Sequence, residues 1–228
     1  MDGYKRNFSR LILSLALGLN LSFAIQAQTV TPKIRADEPT TGLFVREQKL
    51  DSKLMARQMP YNLIVPESYA LAENKSKKYP VIYLLHGLSG HFDNWAGKTK
   101  LYEYAVKYNF LIVMPEGGDG WYTDSSTIPN DKYESYIIQE LIPEIDKNYR
   151  TAADRKHRFI AGLSMGGYGS IKFGLKYPHM FALVGSFSGA LGAADWTEKE
   201  IGTKGAIAES ILKVYGAAGS QTRKENDI

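Results

Sequence analysis

Residues 159–170 read FIAGLSMGGYGS, an apolar run that ends in Gly162-Leu163-Ser164-Met165-Gly166 and passes at once into a helix-forming stretch. A serine on a sharp strand-to-helix turn stands out from the backbone as a nucleophile. Glycines two residues before and after it keep Cβ atoms away from the helix and the adjacent strand. The helix N-terminus adds a positive end beside any alkoxide or oxyanion that forms. The chemistry to which this spacing points is acyl transfer through Ser164. Such a reaction needs two preorganised N–H donors for the carbonyl oxygen as it becomes negative. Met165, the residue after the nucleophile, is one. The other is expected from LLHGLSG (84–90), where Leu88 is the candidate and Gly87 and Ser89 are alternatives. His86 precedes the serine, the wrong chain order for its base, and is read as a histidine that shapes its loop by hydrogen bonding.

A third stretch, GGDGWYTDS (117–125), is glycine-rich enough to let backbone approach a ligand. Trp121 and Tyr122 are candidate substrate-binding residues, offering a ring face and a hydroxyl; covering the core beneath the loop is the competing reading. Trp95 in HFDNW is read the same way, with packing ahead. Asp93, Asp119 and Asp124 lack the neighbours of a calcium loop and are expected to be solvated or loop-capping, so neither a metal nor an organic cofactor is expected.

The elements that position these residues are legible as periodicity. GLFVREQKL and RQMPYNLIV are extended runs that suggest an antiparallel pair at a sheet edge. PVIYLLH, NFLIVMP, HRFIAGL and FALVGSFSG are continuous apolar runs, as strands buried on both faces read. Helical spacing separates them in YESYIIQELIPEIDKNY, where Pro143 implies a kink or break, and in GGYGSIKFGLKYP. Strands alternating with helices predict an α/β protein with a doubly wound, mainly parallel sheet, and ligands then bind at the carboxyl ends of the strands.

PVIYLLHGLSG, YIIQELIPEIDKNYRTAADRKHRFIAGLSMGGYGS and YPHMFALVGSFSGAL closely resemble the esterase D-like "putative esterase" family. Its members include S-formylglutathione hydrolases, tributyrin-type carboxylesterases, feruloyl and acetyl-xylan esterases, and mycolyltransferases. The likeness runs from about Gly42 to Ile228. It implies an α/β-hydrolase fold, Ser164 as nucleophile, an oxyanion hole from Leu88 and Met165, and an acid and a histidine in a C-terminal quarter. The chain departs from the family there. His179 is the one histidine after Ser164, and about a dozen helical residues at ~1.5 Å each place it roughly 18 Å away. His91 and His157 precede the serine, Asp195 follows one strand too early, and Asp146 and Asp154 read as structural. The expectation is a chain that lacks its last strands and two triad residues, about 50–70 residues in all, and that is inactive in this form.

Residues 1–27 read as a signal peptide: Lys5, Arg6 and Arg10 precede LILSLALGLNLSFAI, shorter than the ~20 residues of a membrane span, with cleavage expected after Ala27 or Ala24. Residues 42–228 then form one esterase domain. The net charge of +4 includes +2 from Lys5, Arg6 and Arg10 against Asp2; with no cysteine and its basic residues scattered, the mature chain is expected to be periplasmic or secreted, without stable membrane association and without nucleic acid as a partner. The predicted activity is that of a serine carboxylesterase acting on short-chain or carbohydrate-linked acetyl and feruloyl esters. Its expected partners are small-molecule or polysaccharide esters. Alternatives are an S-formylglutathione-hydrolase-like thioesterase and a non-catalytic carbohydrate-binding protein on a hydrolase scaffold.

Overall fold

The computed structural model describes residues 44–228; the expected signal peptide lies outside them. The two extended N-terminal runs form an antiparallel pair, β1 (Phe44–Ser52) and β2 (Arg57–Val65), in register from Phe44 opposite Val65 to Ser52 opposite Arg57. The four apolar runs become β3 (Val81–Leu85), β4 (Leu111–Pro115), β5 (Arg158–Leu163) and β6 (Leu183–Phe187). The six-stranded sheet has the order β1-β2-β4-β3-β5-β6. β2 meets β4 antiparallel, and the contacts β3–β4, β3–β5 and β5–β6 are parallel. This is the doubly wound sheet with an antiparallel edge pair that the pattern of runs predicts.

From β3 the chain moves to β4 on one side and later to β5 on the other, so the winding reverses between β3 and β5. The crevice at a reversal of this kind, beyond the carboxyl ends of the strands, is where open α/β sheets bind ligands. The period of two sorts each strand onto two layers. Val81, Tyr83 and Leu85 of β3 and Leu111 and Val113 of β4 face the larger core, while Leu84, Ile112 and Met114 face the smaller one. Each large apolar side chain removed from water contributes roughly 1.5–3 kcal/mol. β6 lies at the sheet edge and keeps Leu183 and Phe187 more than half exposed.

The smaller core is covered by α1 (Asn94–Lys98) and α2 (Leu101–Tyr108) through Trp95, Leu101 and Ala105. Pro143 neither breaks nor ends its helix. α3 (Tyr133–Ser135) leads into a π-helical stretch, Tyr136–Leu141, and then α4 (Ile142–Asn148). A proline lacks an N–H and clashes with the carbonyl four residues back. The wider turn ahead of it, in which the Ile142 N–H bonds to the Ile137 carbonyl, accommodates both. α5 (Met165–Lys176) follows the serine directly. α6 (Glu198–Ile201), α7 (Ala206–Tyr215) and α8 (Gln221–Asn226) complete the described chain.

Candidate active site

Ser164 sits between β5 and α5 with φ 53° and ψ −114°, a conformation that L-residues rarely adopt and that costs about 1–3 kcal/mol. Its backbone is clipped on both sides by the segment after β6: Ser164 N–H donates to the Phe187 carbonyl (2.9 Å), and Ala190 N–H donates to the Ser164 carbonyl (3.3 Å). Two glycines are needed for the turn itself. A Cβ at Gly162 would lie 2.8 Å from Gly166 Cα and nearer still to its carbonyl; a Cβ at Gly166 would lie 2.7 Å from the His86 carbonyl oxygen and nearer to that of Leu85. The helix can therefore rise against β5 and β3 only because both side chains are absent.

The same contact brings the His86–Ser89 loop to the serine: a Cβ at Gly87 would be 3.6 Å from Ser164 Cβ. Among the described residues, the N–H groups of Leu88 and Met165 make no hydrogen bond, whereas Ser89 N–H is taken by Asp119 Oδ1 at 2.6 Å. Ser89 is thereby removed as an alternative donor, and Asp119 acts as a loop-capping carboxylate. Asp124 has a similar task, accepting from Ser135 N–H (3.0 Å) at α3. No cluster of residues among those described could hold a metal ion.

His86 is buried and shapes its loop. Its Nδ1 lies 2.8 Å from the Gly87 carbonyl, and its Nε2 accepts from Gly117 N–H at 2.8 Å. Glu116 lies beneath the loop. Burial works against its charge, but the neighbouring His86 ring (Nε2 3.4 Å from Oε1) and hydrogen bonds from the Gly118 and Phe92 N–H groups outweigh it and hold the carboxyl at about 2. His91 Nδ1 also meets Glu116, at 3.2 Å.

Trp121 and Tyr122 are not at a substrate surface. They are 2% and 0% exposed, Trp121 Nε1 donates to Ser210 Oγ (2.9 Å), and the Tyr122 hydroxyl donates to the His86 carbonyl (3.0 Å). The expectation of substrate contact is corrected to packing, because both polar handles are already spent inside the protein. Trp95 likewise packs, its Nε1 donating to the Leu85 carbonyl (3.1 Å) and its ring lying 6.2 Å from that of Phe187.

Behind the Trp121–Tyr122 loop lies a buried charge pair that sequence reasoning missed. Lys172 Nζ pairs with Glu134 Oε2 (2.9 Å) and donates to the Tyr122 carbonyl and Thr123 Oγ1. Desolvation lowers the lysine to about 8 despite the carboxylate. Burial opposes the charge of Glu134, but Lys172, Lys176 and Tyr177 hold it at about 2. The signal was present in the spacing: Lys172 stands four residues after Tyr168 and seven after Met165, on the inward face of α5.

The Ser164 hydroxyl makes no hydrogen bond among the described residues. His86 and His91 are engaged with the Gly117 loop and Glu116, and His157 pairs with Asp154 (3.0 Å). His179 is exposed beyond the far end of α5, and Asp195 is exposed in the turn after β6. Asp146 accepts from Thr151 and Arg158, a structural role.

The fold and its serine turn are those of the α/β-hydrolases. A profile described as "Putative esterase" matches residues 52–224, and the chain belongs to that family. Over 142 residues, 56% of this chain, it is 36% identical to an esterase of Mycobacterium tuberculosis, covering 28% of that protein. Over 149 residues, 60% of this chain, it is 34% identical to an endo-1,4-beta-xylanase/feruloyl esterase of Xylanibacter ruminicola, covering 20% of it. The chain thus spans less than a third of the length of either relative. A solved ferulic acid esterase is similar with a TM-score of 0.60 and 29% identity, over 81% of this chain and 75% of that one. A solved S-formylglutathione hydrolase of Staphylococcus aureus is similar with a TM-score of 0.63 and 25% identity, over 75% of this chain and 66% of that one.

Proposed function

We propose that the protein is a serine carboxylesterase that cleaves short-chain or carbohydrate-linked acetyl and feruloyl esters through an acyl-Ser164 intermediate. The observations that support this reading are the strained Ser164 turn, the approach of Gly87 to it, and the Leu88 and Met165 N–H groups, which make no hydrogen bond among the described residues. Ser164 Oγ attacks the ester carbonyl, the two N–H groups receive the oxyanion, the alcohol leaves, and water releases the acid from the acyl-serine. Loss of one such donor typically costs about 10²–10³ in kcat. The substrate class rests on the feruloyl esterase relatives, and the runner-up, thioester hydrolysis, on the S-formylglutathione hydrolase likeness.

The attack needs a base, and none is assembled on Ser164 among the described residues. In this reading a base and its acidic partner, not among the groups described around Ser164, take the hydroxyl proton. Hydrolysis of 4-nitrophenyl acetate is expected to be lost in a Ser164→Ala control, because without the nucleophile only the residual catalysis of binding and the oxyanion hole remains. Turnover that survives Ser164→Ala would contradict the reading. Export to the periplasm or medium is part of the proposal and rests on the Lys5–Arg10 charges and the apolar run that follows them.

A further inference from the structure

Tyr122 is joined to the loop that carries Leu88 by a buried hydrogen bond that the reaction scheme above does not use. Its ring is walled on three sides. A Cβ at Gly169 of α5 would lie 2.7 Å from Tyr122 Cδ2, one at Gly117 would lie 2.7 Å from its Cζ, and the His86 ring meets it edge-on at 5.8 Å. Its hydroxyl donates to the carbonyl oxygen of His86, the residue two before Leu88. Burial raises this phenol well above its ordinary range, so the hydroxyl remains a donor. From the other side, Lys172 Nζ donates to the Tyr122 carbonyl (2.7 Å) and to Thr123 Oγ1 (2.6 Å). Lys172 lies on α5, seven residues after Met165.

Both oxyanion donors are thereby attached to one brace. The Met165 N–H begins α5, and Lys172 on the same helix grips Tyr122. The Tyr122 hydroxyl in turn grips the carbonyl from which the Gly87–Leu88 segment hangs. Trp121 and Tyr122 both hold φ near 50°, a conformation that neither residue adopts without support from its surroundings. A loop that only filled space would not need two consecutive residues in that region.

We propose that Tyr122 is a positioning residue of the oxyanion hole: its hydroxyl holds the His86 carbonyl and so sets the spacing between the Leu88 and Met165 N–H groups. The proposal rests on the Ser164 reading above. It is tested in the full-length protein with 4-nitrophenyl acetate and its thiono analogue, in which sulfur replaces the carbonyl oxygen. Sulfur accepts hydrogen bonds weakly, so an intact oxyanion hole favours the oxygen ester and a loosened one discriminates less.

Tyr122→Phe removes one hydroxyl and keeps the ring. It is expected to lower kcat by about 10–100-fold. KM should stay within about twofold, the signature of an interaction made in the transition state. The oxygen-to-thiono rate ratio should shrink with kcat. Lys172→Met tests the other end of the brace. It leaves Glu134 paired with Lys176 (2.8 Å) and Tyr177 (2.7 Å), and it must move the ratio the same way if Tyr122→Phe does not fold. A folded variant that loses kcat at an unchanged ratio, or a Tyr122→Phe protein with wild-type kcat, overturns the brace. A Ser164→Ala control separates the two claims. Turnover that survives it removes the esterase reading and the brace together, whereas Ser164-dependent turnover with an unaltered Tyr122→Phe ratio removes the brace alone.

Discussion

Replacing Ser164 by glycine and, separately, by alanine isolates the strain that the turn places on its nucleophile. Both variants lose the same hydroxyl, which makes no hydrogen bond among the described residues, so no lost partner separates them. At φ 53° and ψ −114° an alanine retains the strain of an L-residue, about 1–3 kcal/mol. Glycine relieves it but gives up roughly 0.5–1 kcal/mol more conformational freedom on folding. The balance makes Ser164→Gly the more stable variant by about 1 kcal/mol, or about 2–4 °C in Tm for a domain of this size. At an ordinary helical or extended position the order reverses, so the sign is the diagnostic. Equilibrium urea unfolding, with equal m values for the two proteins, reads the difference directly. A Ser164→Gly protein less stable than Ser164→Ala would mean that Ser164 is not held in this conformation, and the nucleophile-turn argument would fail.

Gly166→Ala places a Cβ 2.7 Å from the His86 carbonyl oxygen, which forces α5 away from β3. Overpacking of this kind costs about 1–3 kcal/mol, and ester turnover in the full-length protein should fall by at least about 100-fold; near-normal turnover would show that the contact is not as close as described. Glu116, at about 2 in the folded protein against an ordinary 4.5, contributes stability that is complete above about pH 4.5 and is lost as pH falls towards 2. The full shift corresponds to at most about 3 kcal/mol, so Glu116→Gln should flatten the acid limb of a stability-versus-pH curve; an unchanged limb would contradict the assignment. Protein recovered from the periplasm or medium should begin at Gln28, or at Ile25 if the earlier site is used, whereas a soluble cytoplasmic product that retains Met1 would exclude export.

The parts of the fold that were legible in the sequence are those written in local periodicity. The four apolar runs became β3 to β6, and the two N-terminal runs paired at the sheet edge, because a strand buried on both faces admits little but apolar residues. Gly162 and Gly166 were legible because the strand-to-helix turn tolerates no side chain at either place. The break that was one of the two outcomes expected at Pro143 did not occur, since periodicity does not show that a π-helical turn can absorb a proline. Trp121 and Tyr122 were misassigned for a different reason. Their partners, Ser210 and His86, stand 89 and 36 residues away, and no local pattern reports where an indole N–H or a phenol finds its acceptor. Lys172 was passed over because a lysine in a helix is usually solvated, and its burial depends on Glu134, 38 residues earlier on the chain.

The central claim is that Ser164 is an activated nucleophile facing an oxyanion hole. Treating the full-length protein with a fluorophosphonate and mapping the adduct by mass spectrometry tests it most directly. The account predicts a single phosphonylated residue, Ser164, and no labelling of the Ser164→Ala protein. Labelling at another residue, or none on a folded protein that still hydrolyses esters, would contradict it.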